Sequence, residues 1–179
     1  MFIFYAEVDD VDHKDGDQIL SRRQSRRFAL QVLYANEFLK EDIGEVAGRI
    51  AATLHNELDE FSREIMTKTS RQAEELDQLI LEGLADRNLN RLPILEKVLI
   101  RMALCELLHF PDIPIEVTLN EAVDLSKEFI SLKSSRFVNG LLDTLVKKLD
   151  KEQKVKKSLL ARLPSSLKKD ERQGKEIKL

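Results

Sequence analysis

Four arginines near the start of the chain are the side chains whose type and spacing best suit the binding of a polyanion. They fall within six residues and are followed, at helical spacing, by a glutamine, a tyrosine and a phenylalanine. Guanidinium groups donate to phosphates in a bidentate fork and stack on planar rings, and aromatic rings stack on bases. The pattern therefore predicts contacts with RNA phosphates and bases. The set consists of Arg22, Arg23, Arg26, Arg27, Gln31, Tyr34 and Phe38.

The spacing of these residues matters as much as their chemistry. Steps of four, four, three and four residues lead from Arg23 to Phe38, which places Arg23, Arg27, Gln31, Tyr34 and Phe38 within a helical sector of about 80°. A separate apolar stripe on the same helix is expected to face the core. The alternative is a solvated basic helix end that binds nothing. The apolar stripe consists of Phe28, Val32, Ala35 and Leu39.

Helical periodicity runs from about residue 21 to residue 149, and the alternation typical of strands is missing, so the sequence predicts an all-α bundle of about seven helices. A central, mostly apolar helix should begin at Pro93 and end before Pro111. Thr118 and Glu121 have the spacing of a capping box for the next helix, and Ser134 or Ser135 could cap the last one. The other expected helices are about 21–39, 43–57 and 59–87, the last of which residues 67–70 could break or bend.

Charge divides the chain into three segments although the net charge is only −3. Residues 1–20 hold six acids and one lysine, and we expect an acidic, flexible extension. Residues 151–179 hold ten basic residues and four acids, and we expect a basic, disordered tail. The helical domain should therefore occupy residues 21–150.

The sequence offers little for catalysis. Three scattered histidines and a single cysteine, Cys105, have no metal-ligand spacing, and no nucleotide-binding or nucleophile motif occurs. Cys105 is expected to be a small core side chain. No apolar run approaches the ~20 residues of a membrane span. We expect a cytoplasmic protein that is not an enzyme and needs neither metal nor cofactor.

Several motifs in the same order resemble the NusB family. They are Ala29-Leu30-Gln31-Val32-Leu33-Tyr34 after the arginines, the helix from Leu95 to Leu107, the run from Ile113 to Ala122, and Arg136-Phe137-Val138-Asn139-Gly140. The resemblance covers residues 21–149 and implies two small helical bundles packed together. It also implies a transcription antitermination factor that binds boxA RNA with the ribosomal protein NusE, and that acts indirectly with other Nus factors and RNA polymerase.

The resemblance further implies roles for individual residues. Glu96 and Arg101 match positions that face the ribosomal protein, whereas Asn139-Gly140 and Asn120-Glu121 are better explained by helix packing and capping. Phe129 and Phe137 match RNA-facing positions but could equally be core residues. The implied RNA-binding set is Arg22, Arg23, Arg26, Arg27, Gln31, Tyr34, Phe129, Lys133, Arg136 and Phe137.

Two departures from the family pattern add expectations. Lys133 stands where an acidic residue is common, which should make the local surface bind RNA more readily and less selectively. Residues 1–20 could mask the arginines, in which case their deletion would tighten RNA binding. Two other functions stay open: a homodimeric helical interaction module, and a relative of the NusB-like domain of rRNA methyltransferases.

Overall fold

The computed structural model describes residues 21–54, 58–85 and 88–152, and over this part of the chain every regular element is helical. The predicted all-α fold of about seven helices is confirmed. The expected acidic extension and nearly all of the basic tail lie outside the described residues. The helices are α1 (Arg22–Leu39), α2 (Ile43–Leu54), α3 (Glu60–Arg71), α4 (Ala73–Gly83), α5 (Ile94–His109), α6 (Ile115–Phe129) and α7 (Leu132–Lys151), with a short 3₁₀ turn at Leu89–Arg91.

Helix α5 joins two groups of helices. Helices α1, α2 and α3 pack on one another, α6 packs on α7, and α4 packs on α7. Helix α5 contacts members of both groups and is buried along nearly its whole length, as its apolar sequence predicts. Cys105 is fully buried within it, and burial raises the pKa of its thiol to about 11. Its prediction as a core side chain is confirmed.

Helix α1 begins at the first of the arginines because the preceding residue, Ser21, forms a reciprocal cap with Gln24. The Ser21 hydroxyl accepts a hydrogen bond from the Gln24 amide nitrogen at 3.3 Å, and the Gln24 side chain accepts one from the Ser21 amide at 2.8 Å. This capping box satisfies two amide groups that would otherwise lack partners. Arg22 is therefore the first residue of a defined helix, and the directions of the arginine side chains are fixed by helical geometry.

Two predicted caps are wrong. Helix α6 begins at Ile115 after Pro114, so Thr118 lies inside the helix, and its hydroxyl donates to the Glu106 carboxylate at 2.6 Å. Proline suits the earlier start because a helix does not use the amide hydrogen at that position. Helix α7 is capped by Ser131, whose hydroxyl accepts from the Ser134 amide at 3.0 Å.

The long helix expected over residues 59–87 is two helices, and the break falls at Gln72, beyond the predicted bend. Leu39, expected in the core stripe, is 45% exposed at the end of α1. Residues 55–57, predicted to end the second helix, lie outside the described part. Among the described helices, none combines the length and apolar character that crossing a membrane requires.

Candidate nucleic-acid interface

The four arginines at the start of α1 point in three directions, so they do not form a single arm. Successive helical residues differ by about 100° in direction, which separates neighbours in sequence. Arg23 and Arg27 face α6, Arg22 lies on the side of α3, and Arg26 enters the interior. Of the four, Arg27 lies beside Phe129, the predicted aromatic residue of α6, and Arg23 faces Asp124 on the same helix.

Arg27 is the best-defined cation of this face. One of its terminal nitrogens lies 2.6 Å from the Glu128 carboxylate, and its guanidinium lies 5.7 Å from the centre of the Phe129 ring. The side chains of Arg27 and Glu128 are 36% and 29% exposed. Because water reaches this ion pair, it is weak and open to exchange with another anion. Arg27 can therefore accept a phosphate while its plane remains next to an aromatic ring.

Arg23 is held more loosely on the same side. Its guanidinium lies 3.6 Å from the Asp124 carboxylate, which also accepts a hydrogen bond from Lys127 at 2.9 Å. More than half of the Arg23 side chain is exposed. The acids at 124 and 128 were missed in the sequence, although their four-residue spacing matches that of the two arginines. The sequence thus contains complementary charge on two facing helices.

Two aromatic rings continue the surface along α1. Tyr34 is half-buried and meets Phe38 edge to face, with 5.3 Å between ring centres. Phe38 is 61% exposed, so most of its ring can be reached from solvent. Gln31 is half-buried one turn before Tyr34. These side chains offer stacking surfaces and an amide on the same helix as Arg27.

The start of α7 adds charge and further apolar surface. Lys133, Arg136 and Phe137 are exposed, and Phe129 is half-buried at the end of α6. Phe129 packs against the hydrophobic core with part of its ring exposed, whereas Phe137 is 39% exposed. Leu132, which the sequence reasoning missed, is 69% exposed at the first position of α7. This corner between α6 and α7 therefore presents cations beside rings that can be reached from solvent.

The prediction that Arg26 belongs to an exposed arm is wrong. Its side chain is 4% exposed, and it donates to both oxygens of Glu106 at 2.7 and 3.1 Å. A second carboxylate, Glu121, lies 3.9 Å away. Arg26 shares a helix face with the buried residues Ala29, Leu30 and Leu33, at spacings of three, four and seven. That spacing, together with the acid Glu106 in the apolar helix α5, is the feature of the sequence from which the burial of Arg26 could have been predicted.

Arg22 is exposed but lies away from Arg23 and Arg27. It forms an ion pair with Asp112 at 3.1 Å and lies 5.0 Å from the centre of the Phe61 ring on α3. Phe61 in turn meets Phe110 edge to face. Arg22 therefore belongs to a different surface of the molecule from the candidate interface.

Glu96 and Arg101, assigned to a protein partner by the resemblance, are both largely buried in this chain, at 8% and 7% exposure. Arg101 donates to Asp77 on α4 at 2.6 Å and to Glu37 on α1 at 2.5 Å. Burial alone would raise the pKa of Glu37, but the charges of Arg101 and two lysines lower it below its ordinary value. Arg101 thus joins α1, α4 and α5 within the chain itself.

The fold and this surface together define a class, that of small helical proteins with a cationic and aromatic face suited to a nucleic acid. Within residues 21–54, 58–85 and 88–152, no three histidines, cysteines or acids cluster as a metal site would require. The NusB family model matches residues 23–147. The chain belongs to the NusB family, whose curated relatives are named as transcription antitermination proteins and not as enzymes.

Individual relatives extend this comparison. The transcription antitermination protein NusB of Chloroherpeton thalassium is 38% identical over 128 residues, which cover 70% of this chain and 61% of that protein. A crystal form of Thermotoga maritima NusB has a TM-score of 0.67 and 31% identity, covering 73% of this chain and 94% of that one. A second structure contains NusB and NusE in complex with double-stranded RNA. Its TM-score is 0.65 and its identity 25%, and the match covers 71% of this chain and 96% of that one.

Proposed function

We propose that this chain is a transcription antitermination factor that binds boxA RNA of nascent ribosomal RNA transcripts together with the ribosomal protein NusE. Other Nus factors and RNA polymerase would act with it indirectly, in the cytoplasm. The observation that carries the proposal is the surface on which Arg23 and Arg27 lie against α6, beside Phe129 and the cationic start of α7. The similar structure with NusE and RNA supports the choice of partners.

The residues that we assign to RNA differ from those expected from the sequence. Arg26 is left out because it is buried, and Arg22 because it faces α3. Such a surface should show salt-sensitive binding, since each phosphate contact releases counterions. The proposed RNA surface consists of Arg23, Arg27, Gln31, Tyr34, Phe129, Lys133, Arg136 and Phe137.

The test is the binding of a boxA RNA and of a scrambled RNA at several salt concentrations, with and without NusE. We expect preference for boxA, tighter binding with NusE, and a loss of about tenfold or more in the Arg23→Ala/Arg27→Ala/Tyr34→Ala variant. Arg49→Ala/Arg63→Ala removes the same charge from other helices and should bind nearly as the wild type does. Equal, steeply salt-dependent affinity of the wild type for both RNAs would overturn the proposal and leave a basic helical protein that binds RNA without selectivity.

Replacing Glu128 with glutamine is expected to tighten RNA binding about two- to fivefold, because a carboxylate that competes for Arg27 is removed. Glu82→Gln is the matched control, since its ion pair with Lys148 has the same 2.6 Å distance but lies on α4 and α7. Binding isotherms of the two variants give the comparison. An equal gain in both would mean that net charge, and not the release of Arg27, is responsible.

Replacing Lys133 with aspartate is expected to weaken RNA binding and to increase the ratio of boxA affinity to scrambled affinity. The lysine is exposed at the start of α7, where it attracts any phosphate regardless of sequence. Lys147→Asp makes the same charge change on the same helix, about 21 Å further along its axis. The same selectivity in the wild type and Lys133→Asp would contradict this expectation.

The assignment of Glu96 and Arg101 to the NusE surface is also a proposal, and their burial shapes its test. Because Arg101 joins three helices, its replacement would alter NusE binding and stability together. Glu96→Gln is the cleaner variant, since it removes a charge while keeping the shape of the side chain. A fall in NusE affinity with an unchanged melting temperature is expected.

A further inference from the structure

A buried polar cluster lies directly beneath the candidate interface and links three helices. Arg26 of α1 donates to both oxygens of Glu106 on α5, and the Thr118 hydroxyl of α6 donates to one of the same oxygens at 2.6 Å. Arg26, Glu106 and Thr118 are each at most 4% exposed. The carboxylate of Glu121, also on α6, lies 3.9 Å from Arg26, and one of its oxygens is buried without a hydrogen-bond partner.

We propose that Arg26, Glu106 and Thr118 are positioning residues for RNA binding: they set α1 against α6 so that Arg23 and Arg27 are aligned over α6, without themselves touching RNA. The inference rests on the proposed RNA-binding function. Arg26 then acts without touching RNA, whereas its neighbours Arg23 and Arg27 bind RNA directly.

The packing of the helices explains why buried side chains are needed to orient α1 against α6. Helices α1 and α6 share little direct backbone contact, although each packs closely on α5. Their relative orientation therefore depends on side chains that bridge them. The outer bridges, from Arg23 to Asp124 and from Arg27 to Glu128, are exposed and must open when the arginines bind phosphate. The buried bridge through Glu106 is the one that persists in the RNA complex.

Position along α1 strengthens the argument. Arg26 lies between Arg23 and Arg27, so the fixed point is within one turn of both RNA-facing cations. Glu106 binds the Arg26 guanidinium through two nitrogens and so prevents it from rotating. This bidentate contact fixes the rotation of α1 about its own axis as well as its distance from α5. A lysine or an apolar residue at this position would hold the distance but not the rotation.

The decisive experiment asks whether Glu106→Gln tightens or weakens the binding of RNA. If Arg26 were an RNA ligand restrained by Glu106, then Glu106→Gln would free it and tighten RNA binding, as we expect for Glu128→Gln. If Arg26 positions α1, Glu106→Gln should weaken binding of boxA RNA about three- to tenfold. Tighter binding by Glu106→Gln would overturn the proposal. Circular dichroism and thermal unfolding establish that the variant is folded at the temperature of measurement.

A second variant covers the case in which Glu106→Gln does not fold. Arg26→Met/Glu106→Leu/Thr118→Val replaces the three hydrogen-bonded side chains by apolar groups, a change that other buried ion pairs tolerate, and leaves Glu121 in place. We expect this triple variant to fold and to bind boxA RNA about fivefold or more weakly than the wild type. In the Arg23→Ala/Arg27→Ala background, the same three replacements should cause no further loss of RNA affinity. Wild-type affinity, or an equal loss in that background, would overturn the proposal.

A measurement without RNA separates this proposal from the proposed function. Spin labels at Leu39→Cys and Asn120→Cys, in a Cys105→Ser background, report the distance between the end of α1 and α6. Both positions are exposed, and Leu39 is about 20 Å along the axis from Arg26, so a small tilt is magnified. The distance distribution should broaden or shift in the triple apolar variant. If the distribution changes while the wild type binds no RNA, the buried cluster does orient α1 against α6 and the proposed function fails. An unchanged distribution overturns this positioning role.

Discussion

Replacing Arg101 with alanine is expected to lower the free energy of unfolding by about 2–3 kcal/mol at neutral pH. The variant leaves the carboxylates of Glu37 and Asp77 partly buried and without the cation that they share. The loss should stay below the 3–5 kcal/mol typical of fully buried pairs, because Glu37 and Asp77 are 20% and 18% exposed. Chemical denaturation of the two proteins gives the difference.

Arg49→Ala is the control for this prediction. Arg49 also forms an ion pair with a carboxylate at 2.5 Å, that of Glu41, but both side chains are well exposed, at 55% and 39%. Exposed ion pairs contribute about 0–1 kcal/mol, so its removal should change stability little. Equal losses in the two variants would show that the ion pairs of Arg101 with Glu37 and Asp77 stabilise the fold no more than an exposed ion pair does.

The stability difference should also depend on pH. The folded pKa of Glu37 is lowered, so its contribution is fully present above its ordinary value of 4.5 and is lost as the pH falls through the folded value. In Arg101→Ala the strongest of the charges that lower this pKa is gone and only the two lysines remain, while burial still favours the protonated acid. The deficit of the variant should therefore shrink between pH 7 and pH 4. A deficit that is constant over this range would contradict the assignment to carboxylate pairing.

The sequence predicted the helices well because their apolar positions repeat with the helical period. The central position of α5 and the burial of Cys105 followed from a helix that is apolar on nearly every side. Helix starts were less predictable, since several residues near each start can cap. At Thr118 the hydroxyl was available for a cap, but a buried carboxylate on another helix competes for the same group.

The candidate interface was predicted only in part, for a geometric reason. Spacing within one helix fixes which side chains share a face, but not which helices surround that face. Arg23 and Arg27 were placed together correctly by spacing, and Arg26 was grouped with them by composition alone. Its burial depends on Glu106, 80 residues later in the chain. A charged residue in an apolar helix is a sign that such a distant partner exists.

Replacing Gly83 with alanine is expected to destabilise the fold by about 1–2 kcal/mol, although alanine usually stabilises a helix. Gly83 is the last residue of α4 and lies against α7. A Cβ atom there would come within 2.7 Å of a Leu145 methyl carbon and 2.9 Å of a Leu141 methyl carbon. Both leucines are buried, at 1% and 6% exposure, so they have little room to move. Thermal or chemical unfolding measures the change.

Gly48→Ala should have the opposite sign and is therefore the matched control. Gly48 is exposed in the middle of α2, and an added Cβ atom would meet nothing within 4 Å beyond its chain neighbours and the backbone of its own helix. The variant gains helix propensity without a clash, which corresponds to about 0.5–1 kcal/mol of added stability. If both variants are stabilised, α4 and α7 are not in close contact at Gly83.

A double variant separates the clash at Gly83 from any change in the end of α4 itself. Leu145→Ala alone should cost about 2–5 kcal/mol, because it leaves a cavity between α4 and α7. In that background the two contacts with Leu145 are gone and only the one with Leu141, at 2.9 Å, remains, so the cost of Gly83→Ala should fall by more than half. An undiminished cost would show that the Leu145 contacts are not its source and would place the defect in the α4 backbone. The absence of a side chain at residue 83 would then serve the end of the helix, and not the close approach of the two helices.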